Sequence, residues 1–245
     1  NMMRDHYWIP FLRPEALVAG GAPVRVRLLG DDYVAFRADD GRIGFFDERC
    51  THRGASLALG RNEDCALRCL FHGWKFDVSG KVLEVPSQTE STANFIARIK
   101  LNAYPVVERG RLCWVWLSGK NEPAPFPSLP FTLVGDENVW MTRTECDYNW
   151  LQGLEGALDS MHVGMLHHSW ITKLAEGRGG TIGKSREAPP RYEVLRTHYG
   201  LRAAALRGLE DGSTYARVTE FIMPFISLPP YQSTDDGTIF ISVPV

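Results

Sequence analysis

Two short segments of this 245-residue chain each carry one cysteine, one histidine and one glycine within five residues. The first segment reads Cys50-Thr-His52-Arg-Gly54. Sixteen residues separate His52 from the second segment, which reads Cys69-Leu-Phe-His72-Gly-Trp74. Thiolate and imidazole are common metal ligands in proteins. A fold that brings the two segments face to face would enclose a metal centre, and this requirement constrains the front half of the chain most strongly.

The mixed ligand types favour one kind of centre. In a [2Fe–2S] cluster of the Rieske type, two cysteines bind one iron and two histidines bind the other. A structural zinc ion accepts the same ligands, but zinc sites more often pair like residues as Cys-x2-Cys or His-x3–5-His. Because each segment here mixes the two types, the spacing favours a [2Fe–2S] cluster. Its predicted ligands are Cys50, His52, Cys69 and His72.

The residues around these segments show the alternating pattern of short antiparallel strands. Strands are predicted at Val24–Leu28, Tyr33–Arg37, Ile43–Phe46, Trp74–Val78, Lys81–Leu83, Val106–Glu108 and Leu112–Trp116. Asp-Gly, Ser-Gly and Arg-Gly pairs between them indicate tight turns. The front of the chain is therefore predicted to be a small β domain.

A change in composition follows this domain. Residues 119–130 contain four prolines and are predicted to form a semi-rigid connector. After it, apolar residues recur at helical spacing, which predicts one continuous helix over about 150–166 with Asn149 at its start. The apolar positions are Leu151, Leu154, Leu158, Met161 and Met165. Residues 175–191 are predicted to be loop, and 192–245 to return to strands with a turn at 208–213.

Further potential metal ligands lie on the predicted helix. Asp159 and His162 are three residues apart, close enough for a carboxylate–imidazole hydrogen bond that would orient the ring. His167 lies about 140° around an ideal helix from His162, so a shared metal requires a π-bulge or a helix end between them. Two imidazoles with open positions favour non-heme Fe(II). Spacing alone leaves His168 as an alternative to His167.

Taken together, these motifs resemble the oxygenase (α) subunit of Rieske non-heme iron aromatic-ring oxygenases, in the phthalate dioxygenase-like branch. The likeness rests on residues 50–56, on residues 69–77, and on the pattern Asp-x2-His-x4-His from Asp159 to His167. It implies an α+β fold with a small antiparallel β Rieske domain at 24–118. A larger catalytic domain of antiparallel sheet with covering helices would comprise 1–23 and 119–245. The resemblance also favours His167 over His168 as the iron ligand.

The resemblance implies a multicomponent reaction as well. Electrons from NAD(P)H would pass through a separate flavin/iron–sulfur reductase to the [2Fe–2S] cluster and then to the mononuclear Fe(II), which activates O2 beside an aromatic substrate. The protein would assemble as a homotrimer or a multiple of it, with Asp159 linking a cluster histidine of one subunit to an iron histidine of its neighbour. Ring hydroxylation and O-demethylation of an aromatic acid both stay open.

The third iron ligand in this family is a carboxylate far downstream. The late carboxylates Asp211, Glu220, Asp235 and Asp236 do not stand at that distance. The missing ligand is therefore predicted to lie beyond Val245, in a longer protein.

Net charge and hydropathy exclude other partners. A formal charge of -2 gives no general attraction to nucleic acid or to anionic membranes. The longest strictly apolar run, Leu112–Leu117, is far shorter than the roughly 18 residues of a membrane-spanning helix. We therefore expect a cytoplasmic protein with neither a nucleic-acid nor a membrane partner.

Basic residues outnumber acidic ones between residues 171 and 207. The basic positions include Arg178, Lys184, Arg186, Arg191, Arg196, Arg202 and Arg207. They could attract an aromatic carboxylate, dock the acidic side of a reductase, or simply be solvated.

Two other functions remain as alternatives. A Rieske-type electron carrier without oxygenase chemistry needs only residues 24–118 and leaves the pattern from Asp159 to His167 unexplained. A zinc-stabilised β module for protein interaction would require neither iron site.

Overall fold

The structure is a computed structural model that describes residues 2–86, 93–119, 122–167, 169, 189–230 and 237–245. The chain divides into two compact units, one of Asn1–Thr144 with Val243–Val245 and the other of Glu145–Ser242. In the described part of the chain, no helix combines the length and the apolar character needed to cross a membrane. The functional division at 24–118 stays a prediction.

The first unit consists of antiparallel sheets with two short helices, α1 (Met2–His6) and α2 (Ala93–Arg98). Its described strands are β1 (Trp8–Leu12), β2 (Val24–Leu28), β3 (Asp31–Arg37), β4 (Ile43–Asp47), β5 (Arg61–Glu63), β6 (Ala66–Arg68), β7 (Lys75–Asp77), β8 (Val82–Glu84), β9 (Val106–Arg109) and β10 (Leu112–Trp116). They form sheets in the orders β1-β10-β9, β2-β3-β4 and β5-β6-β7-β8. The predicted strands are thus confirmed, with ends that differ by one or two residues.

The core of this unit lies directly behind the two Cys–His segments. Central strand β3 is buried at four consecutive positions, so both of its faces are covered. Cys50 and Cys69 belong to the same buried apolar cluster as Phe36, Leu67 and Phe76. The candidate ligands therefore project from loops anchored in a packed core, where side chains have little freedom to move.

The second unit is an antiparallel sheet with helices beside it. Its described elements are α3 (Trp150–Leu158), α4 (Ser160–Met165), β11 (Arg191–Arg196), β12 (Gly200–Gly208), β13 (Thr214–Ile222), β14 (Ile226–Leu228) and β15 (Phe240–Ile241). The strands are adjacent in chain order, and α3 packs against β14. This arrangement confirms the predicted α+β class. Most of the loop predicted at 175–191 lies outside the described residues.

The continuous helix predicted over 150–166 is wrong, because the chain breaks it at Asp159. This residue has an extended backbone, with φ −75° and ψ 112°, and separates α3 from α4. Its carboxylate accepts the N–H groups of Met161 at 2.7 Å and His162 at 3.2 Å. Aspartate is a preferred helix N-cap because its side chain satisfies these otherwise unpaired donors. The helical spacing of the apolar residues did not indicate that a second helix, α4, begins after Asp159.

The apolar face predicted for that helix is also only partly buried. Leu154 is 3% exposed, whereas Met165 is 77% exposed. The predicted start is correct, because Asn149 Oδ1 accepts the N–H of Leu151 at 2.9 Å.

Candidate metal centres

In the first unit, the two Cys–His segments form loops with the same backbone hydrogen bonds. The cysteine N–H donates to a carbonyl five residues later, from Cys50 to Ala55 and from Cys69 to Trp74, both at 2.8 Å. The glycine four residues after each cysteine donates back to the cysteine carbonyl, Gly54 at 2.8 Å and Gly73 at 3.0 Å. The two loops are therefore equivalent, although the histidine stands two residues after Cys50 and three after Cys69.

The four candidate ligands meet as like pairs. Cys50 and Cys69 are both buried, and their thiols interact directly. The ring centroids of His52 and His72 are 4.6 Å apart, with planes at 78°. Burial raises the pKa of the Cys50 thiol, and the neighbouring Cys69 adds to the rise. Burial, His72 and Arg53 lower the pKa of His52, so its imidazole is neutral at neutral pH.

One imidazole nitrogen on each loop is buried without a hydrogen-bond partner in the described part of the chain. These atoms are Nδ1 of His52 and Nδ1 of His72. Buried polar atoms are rarely left unpaired, and a missing ion is one recognised reason. With two thiols together and two free nitrogens together, the residues fit a Rieske [2Fe–2S] cluster.

An indole ring supports one of these histidines. The rings of His52 and Trp74 are stacked, with centroids 4.6 Å apart and planes only 9° from parallel. Trp74 is buried and belongs to the second loop, close to His72 in sequence. It nevertheless restrains His52, the histidine of the first loop. Sequence reasoning did not assign this role to Trp74. The only signal was an aromatic residue directly after His72-Gly73.

In the second unit, His162 and His167 are brought together at the end of α4. Their ring centroids are 5.1 Å apart, with planes at 70°. The helix ends at Met165, and the N–H of Leu166 still bonds to the carbonyl of His162 at 2.7 Å. The predicted departure from helical geometry is thus a helix end rather than a π-bulge. His168 lies outside the described residues.

The hydrogen bond predicted between Asp159 and the His162 ring is absent. Oδ2 of Asp159 lies 3.7 Å from Nδ1 of His162, and this buried nitrogen has no hydrogen-bond partner among the described residues. The carboxylate instead caps α4 and accepts a hydrogen bond from the Tyr192 hydroxyl at 3.4 Å. The nitrogen of His162 is therefore free for a metal, as a non-heme iron ligand requires.

The described residues do not supply a third ligand for this pair. No three His, Cys, Asp or Glu side chains among them are grouped to hold one metal ion. Glu220 bonds to Arg202 and to the Tyr199 hydroxyl, and Asp211 accepts from Ser213. Asp235 and Asp236 lie outside the described residues.

Two arginines from the sheet reach Ser160, the first residue of α4. Arg207 Nη2 donates to the Ser160 carbonyl at 3.3 Å, and Arg217 Nε donates to Ser160 Oγ at 3.2 Å. Arg207 is 7% exposed, and its Nε is unpaired among the described residues. No described carboxylate pairs with this guanidinium. Burying a cation is costly unless a partner offsets its charge.

In sequence, Arg207 is one of several basic residues between 171 and 207, and nothing in that composition separates it from solvated arginines. The available signal was the period of a strand, since side chains two residues apart share a face. Arg207 follows Ala205 by two residues, and Ala205 is 1% exposed.

Comparison with known proteins finds two matching family models. Residues 7–105 match the family model of the Rieske [2Fe-2S] domain, and residues 115–245 match that of the LigXa C-terminal domain-like family. The first match confirms the predicted Rieske [2Fe–2S] cluster, and the zinc-stabilised module is therefore wrong.

Curated relatives match along most of the chain. It is 36% identical over 230 residues to the 3-chlorobenzoate-3,4-dioxygenase oxygenase subunit of Comamonas testosteroni, covering 94% of this chain and 53% of the relative. It is 38% identical over 238 residues to the phthalate 4,5-dioxygenase oxygenase subunit of Pseudomonas putida, covering 94% and 54%. The chain thus spans about half the length of these relatives.

Among solved structures, the terminal oxygenase of carbazole 1,9a-dioxygenase from Nocardioides aromaticivorans IC177 has the same fold. It matches with a TM-score of 0.69 at 20% identity, covering 98% of this chain and 72% of that one.

Proposed function

Because this chain belongs to the family of Rieske non-heme iron aromatic-ring oxygenases, in the phthalate dioxygenase-like branch, we propose that it acts as the terminal oxygenase component of a multicomponent system. It would use O2 and electrons derived from NAD(P)H to hydroxylate or O-demethylate an aromatic acid. The observation that carries this proposal is the pairing of His162 with His167. An electron carrier needs only the cluster, whereas this pair adds a second metal site with open positions.

We assign electron entry to residues 24–118 and oxygen chemistry to residues 1–23 and 119–245. Cys50, Cys69, His52 and His72 would hold the [2Fe–2S] cluster, and His162 and His167 would hold the mononuclear iron. When bound, the cluster supplies one-electron transfer and the iron supplies O2 activation. A carboxylate from outside the described residues would complete the iron ligands.

The residues of this chain prepare both sites before metal binds. The depressed pKa of His52 keeps its imidazole neutral, so the lone pair of Nδ1 is available at neutral pH. Asp159 caps α4 and thereby fixes the backbone that carries His162. We propose that Asp159 also provides the link between the two metal sites.

Arg207 and Arg217 support an acidic substrate. A guanidinium binds a carboxylate through charge-assisted hydrogen bonds, which are strong when water is excluded. Arg207 is buried and lacks a described counter-ion, and both arginines bond to the residue that begins the iron-binding helix. The two relatives are named for 3-chlorobenzoate and phthalate, which are aromatic carboxylates.

The proposed partners are O2, a separate flavin/iron–sulfur reductase and further copies of this chain in a homotrimer or a multiple of it. Both relatives are named oxygenase subunits, which implies that other subunits complete their systems.

The test uses the complete natural protein, purified without oxygen and supplied with a generic reductase and NADH. Metal analysis should give about three irons per chain for an oxygenase and about two for a carrier. Aromatic acids, their methoxy derivatives and their methyl esters are then screened for substrate-dependent O2 uptake. Formaldehyde release distinguishes O-demethylation from ring hydroxylation. Two irons per chain without substrate-dependent O2 uptake would establish the carrier instead.

A further inference from the structure

Five charged side chains meet beneath the second cluster loop, where β6 enters it and β7 leaves it. We call this group the loop-base network; its members are Glu63, Asp64, Arg68, Lys75 and Glu84. Lys75 is 4% exposed, and its Nζ lies 2.8 Å from Asp64 and 3.6 Å from Glu84. Arg68 bonds to Glu84 at 2.8 Å and also to Glu63.

Sheet stability alone does not explain this network. Arg68 lies directly opposite Lys75 in the register of β6 and β7, and opposite Arg61 in the register of β5 and β6. Like charges directly opposite one another destabilise an antiparallel pair. The three acidic side chains offset this repulsion, but a row of apolar residues would avoid it altogether.

Arg68 also reaches the cluster loop itself. Its Nη1 donates to the carbonyl of Gly73 at 2.8 Å. Gly73 directly follows His72, and its N–H closes the loop onto the carbonyl of Cys69. Arg68 directly precedes Cys69, and Gly73 directly follows His72. The bond from Arg68 to Gly73 therefore joins the two ends of the segment that carries both ligands.

The first cluster loop is held by a different group. Glu48, which is 8% exposed, accepts hydrogen bonds from Arg25 Nε at 2.8 Å and from the Ser56 hydroxyl. A carboxylate therefore braces the loop of His52, and a guanidinium braces the loop of His72. The second loop thus has a guanidinium bonded directly to its backbone, at the carbonyl of Gly73.

We propose that Arg68 is a positioning residue for the cluster. Its bond to Gly73 holds the second loop so that His72 presents Nδ1 to the iron, and its charge favours the reduced, more negative state of the cluster. The proposal rests on the Rieske cluster alone, so it is independent of the substrate and of the oxygenase reaction.

The test compares holoprotein variants R68Q and R68K with the matched control R61Q. Arg61 lies opposite Arg68 and pairs with the same Glu63 at 3.3 Å, but it is 60% exposed in its side chain and makes no described bond to Gly73. Three quantities are measured: the EPR spectrum of the reduced cluster, its midpoint potential, and the rate of iron release to a ferrous chelator.

We expect R68Q to lower the midpoint potential, change the EPR line shape and release iron about tenfold faster, the lower end of what outer-shell partners of metal ligands contribute. R68K should keep a potential near that of the wild type, because the charge remains, and still release iron faster. A lysine cannot reproduce the fixed fork that reaches two carboxylates and a carbonyl together. R61Q should match the wild type in all three measurements.

The proposal is overturned if R68Q lowers the melting temperature but keeps the wild-type spectrum, potential and iron-release rate, since that result describes a purely structural ion pair. If R68Q does not fold, R68K decides the question. Wild-type iron release and EPR spectrum in R68K would then overturn the proposal.

Discussion

Oδ2 of Asp159 accepts the backbone N–H of His162 at 3.2 Å, yet it lies 3.7 Å from Nδ1 of the same residue. One carboxylate therefore fixes the main chain of a candidate iron ligand and leaves its imidazole nitrogen unbonded. Two roles follow for Asp159, a helix cap that acts on stability and the proposed link between metal sites that acts on electron transfer. Substitutions can separate them.

Replacing Asp159 with asparagine should keep the cap and break the link. Asparagine caps helices about as well as aspartate, whereas alanine costs about 1 kcal/mol of unfolding free energy. D159N should therefore bind both metals and unfold like the wild type, but reoxidise its reduced cluster much more slowly in single-turnover stopped flow. D159A should show the same slow transfer and also the loss of stability. Normal turnover by D159N would refute the link.

Alanine in place of a glycine of the cluster loops should lower both stability and cluster content, whereas alanine at a comparable turn glycine should lower stability alone. Gly54 and Gly41 have φ values of 68° and 88°, and a Cβ at either position would meet no atom within 4 Å. Each alanine therefore adds only backbone strain, about 1–2 kcal/mol. G54A and G41A should lose similar unfolding free energy.

Only G54A should also lose cluster content, because Gly54 closes a ligand loop. The ratio of cluster absorbance to protein after purification measures this loss. G73A should lose more than G54A, since its Cβ would lie 3.3 Å from Pro86 Cγ. Equal cluster content in G41A and G54A would contradict the role given to the loop frame.

Acid should weaken the first unit partly through the loop-base network. The Lys75 ammonium lowers the pKa of Asp64, and the Arg68 guanidinium lowers the pKa of Glu84. Because both carboxyls release their protons more readily in the folded state, they contribute stability above their ordinary pKa values, about 4, and lose it as the pH falls through the depressed values.

The variant K75M removes the main cause of the Asp64 shift. In urea unfolding, it should be less stable than the wild type at about pH 7, and the gap should close at about pH 2.5, below the ordinary carboxyl pKa of about 4. D64N should show the same reduced dependence on pH. A K75M deficit of equal size at both pH values would exclude the ion pair as its cause.

The sequence predicted what depends on local pattern and ligand chemistry. Strands β2 and β10 begin and end where the short β-rich runs between turn residues place them. Cys50, Cys69, His52 and His72 converge as their types require. The helix break at Asp159 was not predictable from apolar spacing, because it depends on a side chain competing with the helix for backbone donors. The conflict between Asp159 as a cap and as a partner of the imidazole is settled only by three-dimensional geometry.

Contacts between distant residues were the other gap. The stack of His52 on Trp74 joins two loops, and the contacts of Arg207 and Arg217 with Ser160 join two strands to a helix. Neither contact has a periodic signature in sequence. The burial of Arg207 could be predicted only from its position in the strand, two residues after Ala205 on the same face.

We expect Arg207 to lower the stability of the free protein and to strengthen its binding of aromatic acids. A methionine in its place removes a buried charge that has no counter-ion among the described residues, so R207M should be at least as stable as the wild type without substrate. Loss of a hydrogen bond to a charged group costs about 1.5–3 kcal/mol, so aromatic acids should bind roughly 10- to 150-fold more weakly. Their methyl esters, which lack the charge, should be affected far less.

Arg202 lies on the same strand, is exposed and pairs with Glu220, so R202M is the matched control and should bind both classes like the wild type. Dissociation constants for phthalate, 3-chlorobenzoate and their methyl esters decide the matter. Equal weakening of acids and esters in R207M would show that Arg207 supports the backbone at Ser160 rather than recognising the carboxylate.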